Sequence, residues 1–371
     1  MTARRLAAVA AFALLVPVAT AHARPVVITT TGEAVNVTAD ARGTVHIAYN
    51  DRNEHGIGEP LMYCAWPRGA KHCTPPRAIL TDDESPLAQP PLLKAGPAPG
   101  QLAIASARDS IDVVRSANGG ATWSGPVSVG KGRWFGGSIG PAGQLALSFP
   151  NLDYVEYYAR SLAGSPASTG LAHLNQNHSA NAVTGWAGNT PVLVSGGGNI
   201  HTAVSSWSGH GNIQDPATWI GPFRTADTPD FDLATGKSGL WLVYTALTHT
   251  GDNRIYARRF SLKTRHFGRR HAIPFGRLGL PDVVNIGLGQ AANGRLVAAW
   301  YDSPDDRIEI SASRNGKHWT RARVLSRRVT LPFNIRVGLG PSGRGLVVWD
   351  DNGDHKIKAA KVSAPALLRR R

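Results

Sequence analysis

Short apolar runs, each opened by a turn residue and closed by polar residues, recur along the chain about every 50 residues. Residues 43–51 read Gly-Thr-Val-His-Ile-Ala-Tyr-Asn-Asp, residues 343–351 Gly-Arg-Gly-Leu-Val-Val-Trp-Asp-Asp, and residues 294–302 Gly-Arg-Leu-Val-Ala-Ala-Trp-Tyr-Asp. Weaker copies begin at Gly100 and Gly143, and diverged ones occupy residues 191–194 and 239–244. Each run is too short for a helix and carries the β-branched, uniformly apolar character of a strand buried on both faces. Seven such strands can be counted.

Another short strand precedes several of these: Val35-Asn36-Val37, Phe231-Asp232-Leu233, Val284-Asn285-Ile286 and Ile335-Arg336-Val337. After each come a polar loop, a third strand, a hairpin and a fourth strand; third strands are read at residues 111–114, 154–158, 255–257, 307–310 and 356–359. Four strands per unit predict an all-β chain: a seven-bladed β-propeller of four-stranded antiparallel blades, in which radial repetition protects the sheet edges. The last unit runs out near Val362 with three strands, while residues 25–29 form an orphan strand. Pairing the two would close the ring with the N-terminal strand. Two packed sandwiches would use similar strands but give no reason for the repeat.

Composition narrows the class. Of 371 residues, 41 are Gly, 25 Pro and 10 Trp but only two Met, which argues against a helical bundle, and 42% hydrophobic content argues against disorder. Arg4 and Arg5 precede an apolar stretch at residues 6–20 and the small-x-small site Ala21-His22-Ala23. This predicts a secretory signal peptide over residues 1–23, a propeller over 24–363 and a basic tail over 364–371. The expected location is extracellular, with a lone membrane anchor as the alternative; no later stretch is long and apolar enough for a span. In an oxidising compartment Cys64 and Cys73, nine apart across a predicted hairpin, are expected to form a disulfide.

Residues 116–123, Ser-Ala-Asn-Gly-Gly-Ala-Thr-Trp, have a shorter variant at residues 313–319, Ser-Arg-Asn-Gly-Lys-His-Trp, and Thr218-Trp219-Ile220-Gly221-Pro222 repeats Thr122-Trp123-Ser124-Gly125-Pro126. This motif resembles the Asp-box (BNR repeat) of the sialidase, or neuraminidase, superfamily, with Asn where that family usually has Asp. Ser and Asn can bond the turn backbone, Gly supplies positive φ and Trp pins the hairpin to the core. Aligning the first unit on the second puts Cys73 in the slot of Trp123. The resemblance implies a sialidase-like propeller whose boxes lie on the face opposite the active site. Family sialidases clamp a substrate carboxylate with three arginines and use a Tyr nucleophile with a Glu and an acid/base Asp. The family's first arginine position reads Asn36 here; Arg52 and Arg336 come from different places, and no Tyr–Glu pair can be assigned. Since Asn carries no charge for a carboxylate clamp, a recognition propeller is expected, with an exo-sialidase-like or other glycoside hydrolase as the alternative.

A ligand is expected at the channel face, where the loops entering the innermost strands meet those leaving the second strands. Candidate ligand-binding residues are Asn36, Asp232, Asn285 and Arg336 on or beside innermost strands, and Asp51, Arg52, Asp302 and Asp351 at second-strand exits. Other polar residues on the same loops include Glu54, His55, Arg108, Asp109, His249 and Asp252. The expected partner is carbohydrate or another polar extracellular ligand, bound by a monomer. The net charge of +15 concentrates on outer hairpins, as at Arg269-Arg270 and Arg327-Arg328, giving a basic rim able to hold anionic polymers nonspecifically. No cofactor or metal is expected: phosphate-loop and zinc-helix motifs are absent, and Asp350-Asp351-Asn352-Gly353-Asp354 lacks the distal Glu of a calcium loop.

Overall fold

A computed structural model of the chain describes residues 24–52, 60–81, 90–107, 110–130, 136–141, 143–150, 156–161, 168–172, 181–197, 199–204, 220–224, 230–247, 253–274, 285–351 and 353–369. The predicted signal peptide and the residues Glu54, His55, Arg108, Asp109, His249 and Asp252 lie outside them.

After β1 (Val26–Thr29), the strands fall into consecutive antiparallel meanders. The first sheet holds β2 (Gly32–Ala39), β3 (Val45–Asp51), β4 (Leu61–Trp66) and β5 (Arg77–Leu80). The second holds β6 (Leu92–Ala95), β7 (Leu102–Ala107), β8 (Ile111–Ser116) and β9 (Val127–Gly130). Next come β10 (Gly136–Ile139), β11 (Leu145–Pro150), β12 (Glu156–Ser161) and β13 (Ser168–Ala172). The following sheet comprises β14 (Asn181–Ala187), β15 (Thr190–Gly197), β16 (Asn199–Val204) and β17 (Ile220–Arg224). Then β18 (Phe231–Gly236), β19 (Gly239–Leu247) and β20 (Asn253–Ser261) pair in order, with β21 (His266–Phe267) and β22 (His271–Ala272) both on β20. The next sheet is β23 (Ile286–Gln290), β24 (Leu296–Asp302), β25 (Arg307–Ser313) and β26 (Arg323–Arg327). The last contains β27 (Pro332–Leu339), β28 (Arg344–Asp351) and β29 (Lys356–Ser363), with β1 antiparallel to β29 through Val26↔Ala359, Val27↔Lys358 and Thr29↔Ile357.

The first strands of these sheets pack beside one another around one axis. β2 lies beside β6 and β27, β10 beside β6 and β14, β18 beside β14 and β23, and β23 beside β27. The chain is therefore an all-β propeller with four-stranded antiparallel blades. The recurring glycines explain the tight turn between first and second strands: Gly43, Gly100, Gly143, Gly239, Gly294 and Gly343 all have φ between +78° and +100°.

Because second strands are buried on both faces, the cores lie between neighbouring sheets. Trp241 and Val243 of β19 meet Ala298 and Trp300 of β24, while Val35, Ile47 and Tyr49 of the first sheet meet Leu346 and Val348 of the last. Polar stitches supplement this packing. The buried His46 stands with Nε2 3.3 Å from Asp40 and Nδ1 2.7 Å from the Tyr63 hydroxyl, which donates to the Gly119 carbonyl of the second sheet at 3.0 Å.

The hairpin motif folds as its residue types suggest. Ser116 Oγ accepts from the amides of Asn118 and Gly120, and Asn118 Oδ1 from that of Thr122, while Trp123 packs against the core of β4 and β7. In the shorter variant Ser313 Oγ accepts from Asn315 and Gly316, and Trp319 Nε1 donates to the Gly316 carbonyl. Cys64 and Cys73 are disulfide-bonded, with Cα atoms 5.9 Å apart. The residue after the pin marks the equivalence: Thr74, Ser124 and Thr320 each accept, through a side-chain oxygen, from an amide of the third strand, of Ala65, Arg115 and Ala312. Cys73 thus occupies the position of Trp123 and Trp319. At the other end, residues expected to trail past the fold form α1 (Ala364–Arg369), because Ala364, Leu367 and Leu368 share one face and are buried with the core of β24, β25 and β28.

Candidate functional site

Alternation along a strand turns every second side chain of an innermost strand toward the axis. These side chains enclose a cavity of about 290 Å³, with lining residues from β2, β6, β10, β14, β18, β23 and β27 or the residues just before them. Its polar wall includes Asn36, Lys94, Asp230, Asp232, Asn285 and Arg336. Two cationic side chains therefore face two carboxylic ones across the channel.

Several of these groups also hold neighbouring blades together. Asp232 accepts from its own strand at Leu233 N (2.8 Å) and from Leu288 N of β23 (2.8 Å), and Asp230 accepts from the Asn285 amide. Asn285 Nδ2 donates to the Pro332 carbonyl at 2.8 Å. Between the last sheet and the first, buried Asp350 accepts from Ala34 N (3.0 Å) and Asn334 Nδ2 (2.8 Å). Burial pushes the Asp230 carboxyl above its ordinary range, against the Asn285 amide and Arg336. Asp350 moves the same way because of burial, against hydrogen bonds from Asn334, Ala34 and Phe333 and the charge of Arg336. Desolvation lowers Lys94, opposed by Asp232 and assisted by Arg336.

Backbone geometry repeats at the channel mouth. β2 and β27 carry matching register shifts, Glu33/Asn36 and Phe333/Arg336, around Ala34 (φ 54°) and Asn334 (φ 53°). Asn36 and Arg336 stand opposite Ala48 and Val348, so they are equivalent. Asn285 has the left-handed φ of 67° and corresponds to Asn334 and Ala34, while Gly287, opposite Ala299, takes the Arg336 position. The expected equivalence of Asn285 with Arg336 is therefore corrected by two residues, because Asn285 takes the left-handed position just before β23 begins and is not itself a strand residue.

Of the candidates named from sequence, Asn36, Asp232, Asn285 and Arg336 line this cavity together; Asp51, Arg52, Asp302 and Asp351 do not. Asp51 accepts from the Thr31 hydroxyl, and Arg52 lies at the rim 3.3 Å from His355 Nδ1 and 4.0 Å from Glu33. Asp302 pairs with Arg307 at 2.7 Å and Asp351 with Lys358 at 2.5 Å, each partner on the adjoining third strand. Burial raises the Asp302 carboxyl, and Arg307 opposes that rise. Lys94, Asp230 and Asn334 were missed. Asp230 was legible in principle, since Asp230-Phe231-Asp232 alternates and puts both acids on one face. Lys94 lies in Pro90-Pro91-Leu92-Leu93-Lys94, where one innermost strand per repeat was owed.

Among the described residues no group of three or more His, Cys, Asp or Glu side chains could hold a metal ion, and no helix is long and apolar enough to cross a membrane. No protein-family model matches the chain, and no curated protein matches it in sequence. Solved structures do resemble it. The BP39L lectin from Burkholderia pseudomallei aligns with TM-score 0.54 and 11% identity over 79% of this chain and 84% of the lectin. The Cps50 (Swd1) β-propeller domain from Myceliophteria thermophila gives 0.57 and 12% over 90% and 98%. The NanB sialidase from Streptococcus pneumoniae gives 0.51 and 8% over 93% and 70%. At such identities the likeness is one of fold: these are β-propeller relatives in shape.

Proposed function

We propose that this chain is a secreted, noncatalytic recognition propeller that takes carbohydrate or another polar extracellular ligand at the channel mouth. We read its sheets as seven blades, with β1 supplying the outermost strand of the last; the pairing of β1 with β29 and the packing of β27 beside β2 support that reading. The observation that carries the functional proposal is the convergence of Asn36, Lys94, Asp230, Asp232, Asn285 and Arg336 on one cavity. Its volume is at the lower limit of small-ligand sites, and fixed polar groups around a pocket give orientation and specificity. Both donors and acceptors are present, which suits a polyhydroxylated ligand. Lectin and sialidase neighbours in shape are compatible with such a partner.

The cavity wall speaks against sialic-acid hydrolysis. Arg336 is its only arginine among the described residues, and no tyrosine lines it. Arg52 stays at the rim. The motif hairpins at Gly119 and Gly316 lie at the far ends of their blades, as in the sialidase-like pattern, and support fold rather than chemistry. The test is a glycan array on the mature protein with a fluorogenic sialoside assay alongside. Glycan binding that is lost in both Arg336→Ala and Asp232→Ala, with no sialoside turnover, is the expected result. Turnover abolished by Arg336→Ala overturns the noncatalytic reading; binding of uncharged glycans that survives both substitutions overturns the channel site.

A further inference from the structure

The opposite face carries a second concentration of chemistry. The turns at Gly188 and Gly239 join first to second strands, so they lie at the end of the blades away from the channel mouth. They border a cleft of about 1020 Å³ whose wall includes Arg259, Arg269, Arg270, His271, Lys317 and His318. A neighbouring cleft of about 550 Å³ shares His318 and adds Arg314 and Arg321. Among the described residues no Asp or Glu lines either one. Arg259, Arg269, Lys317, Arg314 and Arg321 are exposed, held on the β20–β21 hairpin, the adjoining segment before β22 and the motif hairpin after β25.

Like charges gathered on hairpins repel one another, and a fold has no need to collect them in one place. The effect is visible at His271, lowered by burial and then by Arg269, Lys317 and His318 around it. Arg270 is held in place, its guanidinium 4.9 Å from the Tyr256 ring centre, which aims a fixed planar donor at the cleft. Guanidinium forks match the planar or tetrahedral oxyanions of carboxylate and sulfate. The two clefts share His318 in their walls, so the charges around them are spread over more than a single small anion would span. Among the described residues, half-buried Trp319 is the one Trp, Tyr or Phe side chain lining the second cleft. A row of stacking platforms, on which a single nucleic-acid strand depends, is not found there among the described residues.

We propose that this double cleft binds an anionic polysaccharide through its sulfate or carboxylate groups, on the face opposite the channel and independently of it. The probe is dextran sulfate, with neutral dextran and single-stranded polythymidylate as comparisons, titrated into the mature protein at several salt concentrations. Wild type binds dextran sulfate, ignores neutral dextran and holds the polynucleotide more weakly, with affinity falling about tenfold or more between 50 and 200 mM salt. The triple variant Arg269→Gln, Lys317→Gln, Arg321→Gln loses at least about tenfold. The charge-matched control Arg42→Gln, Arg68→Gln, Lys71→Gln stays within about twofold. All six positions are exposed, so folding is not at stake, and unfolding midpoints report on it directly. Equal losses in the two triples, or tighter binding of the polynucleotide, overturn the proposal.

Discussion

Replacing Asp350 by Ala tests how the first and last sheets are held together. The carboxylate is 5% exposed and bridges 316 residues of sequence by accepting the Ala34 amide, while Asn334 Nδ2 donates to the same oxygen. Two hydrogen bonds to a charged group stabilise by about 3–6 kcal/mol together, and truncation also strands the Ala34 N–H. Against this stands the burial that raises the Asp350 carboxyl above its ordinary value, a cost that Ala removes. The net loss is about 2–4 kcal/mol. For a domain of roughly 340 residues with an unfolding entropy of about 0.7 kcal/mol/K, that is a fall of about 3–6 °C in Tm. Asp350→Asn keeps an acceptor and the shape, and should fall by less than about 2 °C. Differential scanning calorimetry at neutral pH distinguishes them. A midpoint for Asp350→Ala within about 1 °C of wild type refutes the stitch. The pH dependence has a definite sign: a carboxyl raised in the folded state destabilises when ionised, so wild type should gain on Asp350→Asn as pH falls through the folded value toward 3.8.

Three further outcomes follow from other residues. Cys64→Ser with Cys73→Ser opens a loop with a separation of nine residues and should cost about 2.6 kcal/mol by loop entropy, read as a lowered calorimetric midpoint; intact-mass analysis of the wild type under nonreducing alkylation should find no free thiol. His46, lowered chiefly by burial with Asp40 opposing, is protonated first in the unfolded chain, so stability should fall as pH drops below about 6.5, and His46→Gln should flatten that part of the profile. Arg336→Ala should weaken ligand binding by about 10- to 100-fold, and it should also lower the Tm, because the Arg336 charge offsets the burial of the Asp230 and Asp350 carboxyls; isothermal titration and calorimetry would show both.

Much of the fold was legible because the repeat is written in backbone chemistry. Glycines at left-handed turns and uniformly apolar second strands survive even where the other strands diverge. Cys73 could be placed in a tryptophan slot because the flanking hairpin copies the same turn. The site was less legible. Asp350 and Asp351 are adjacent, yet alternation sends one toward Ala34 and the other to Lys358, and sequence alone does not say which face is which. Asp302 looks like a channel acid until Arg307 of the next strand is seen to hold it. Asn285 was offset by two residues because a left-handed residue just before a strand leaves no distinct mark in a string that tolerates Asn or Ala there. Lys94 was overlooked because two prolines precede its strand and mask the alternation.

The most direct measurement is the position of a bound glycan. A crystal structure of the protein with the strongest uncharged glycan from the array should show the sugar in the channel, within hydrogen-bond reach of Arg336 and Lys94, with the opposite face empty of it. A glycan seated between outer strands or on the basic hairpins, with the channel unchanged, would contradict the account.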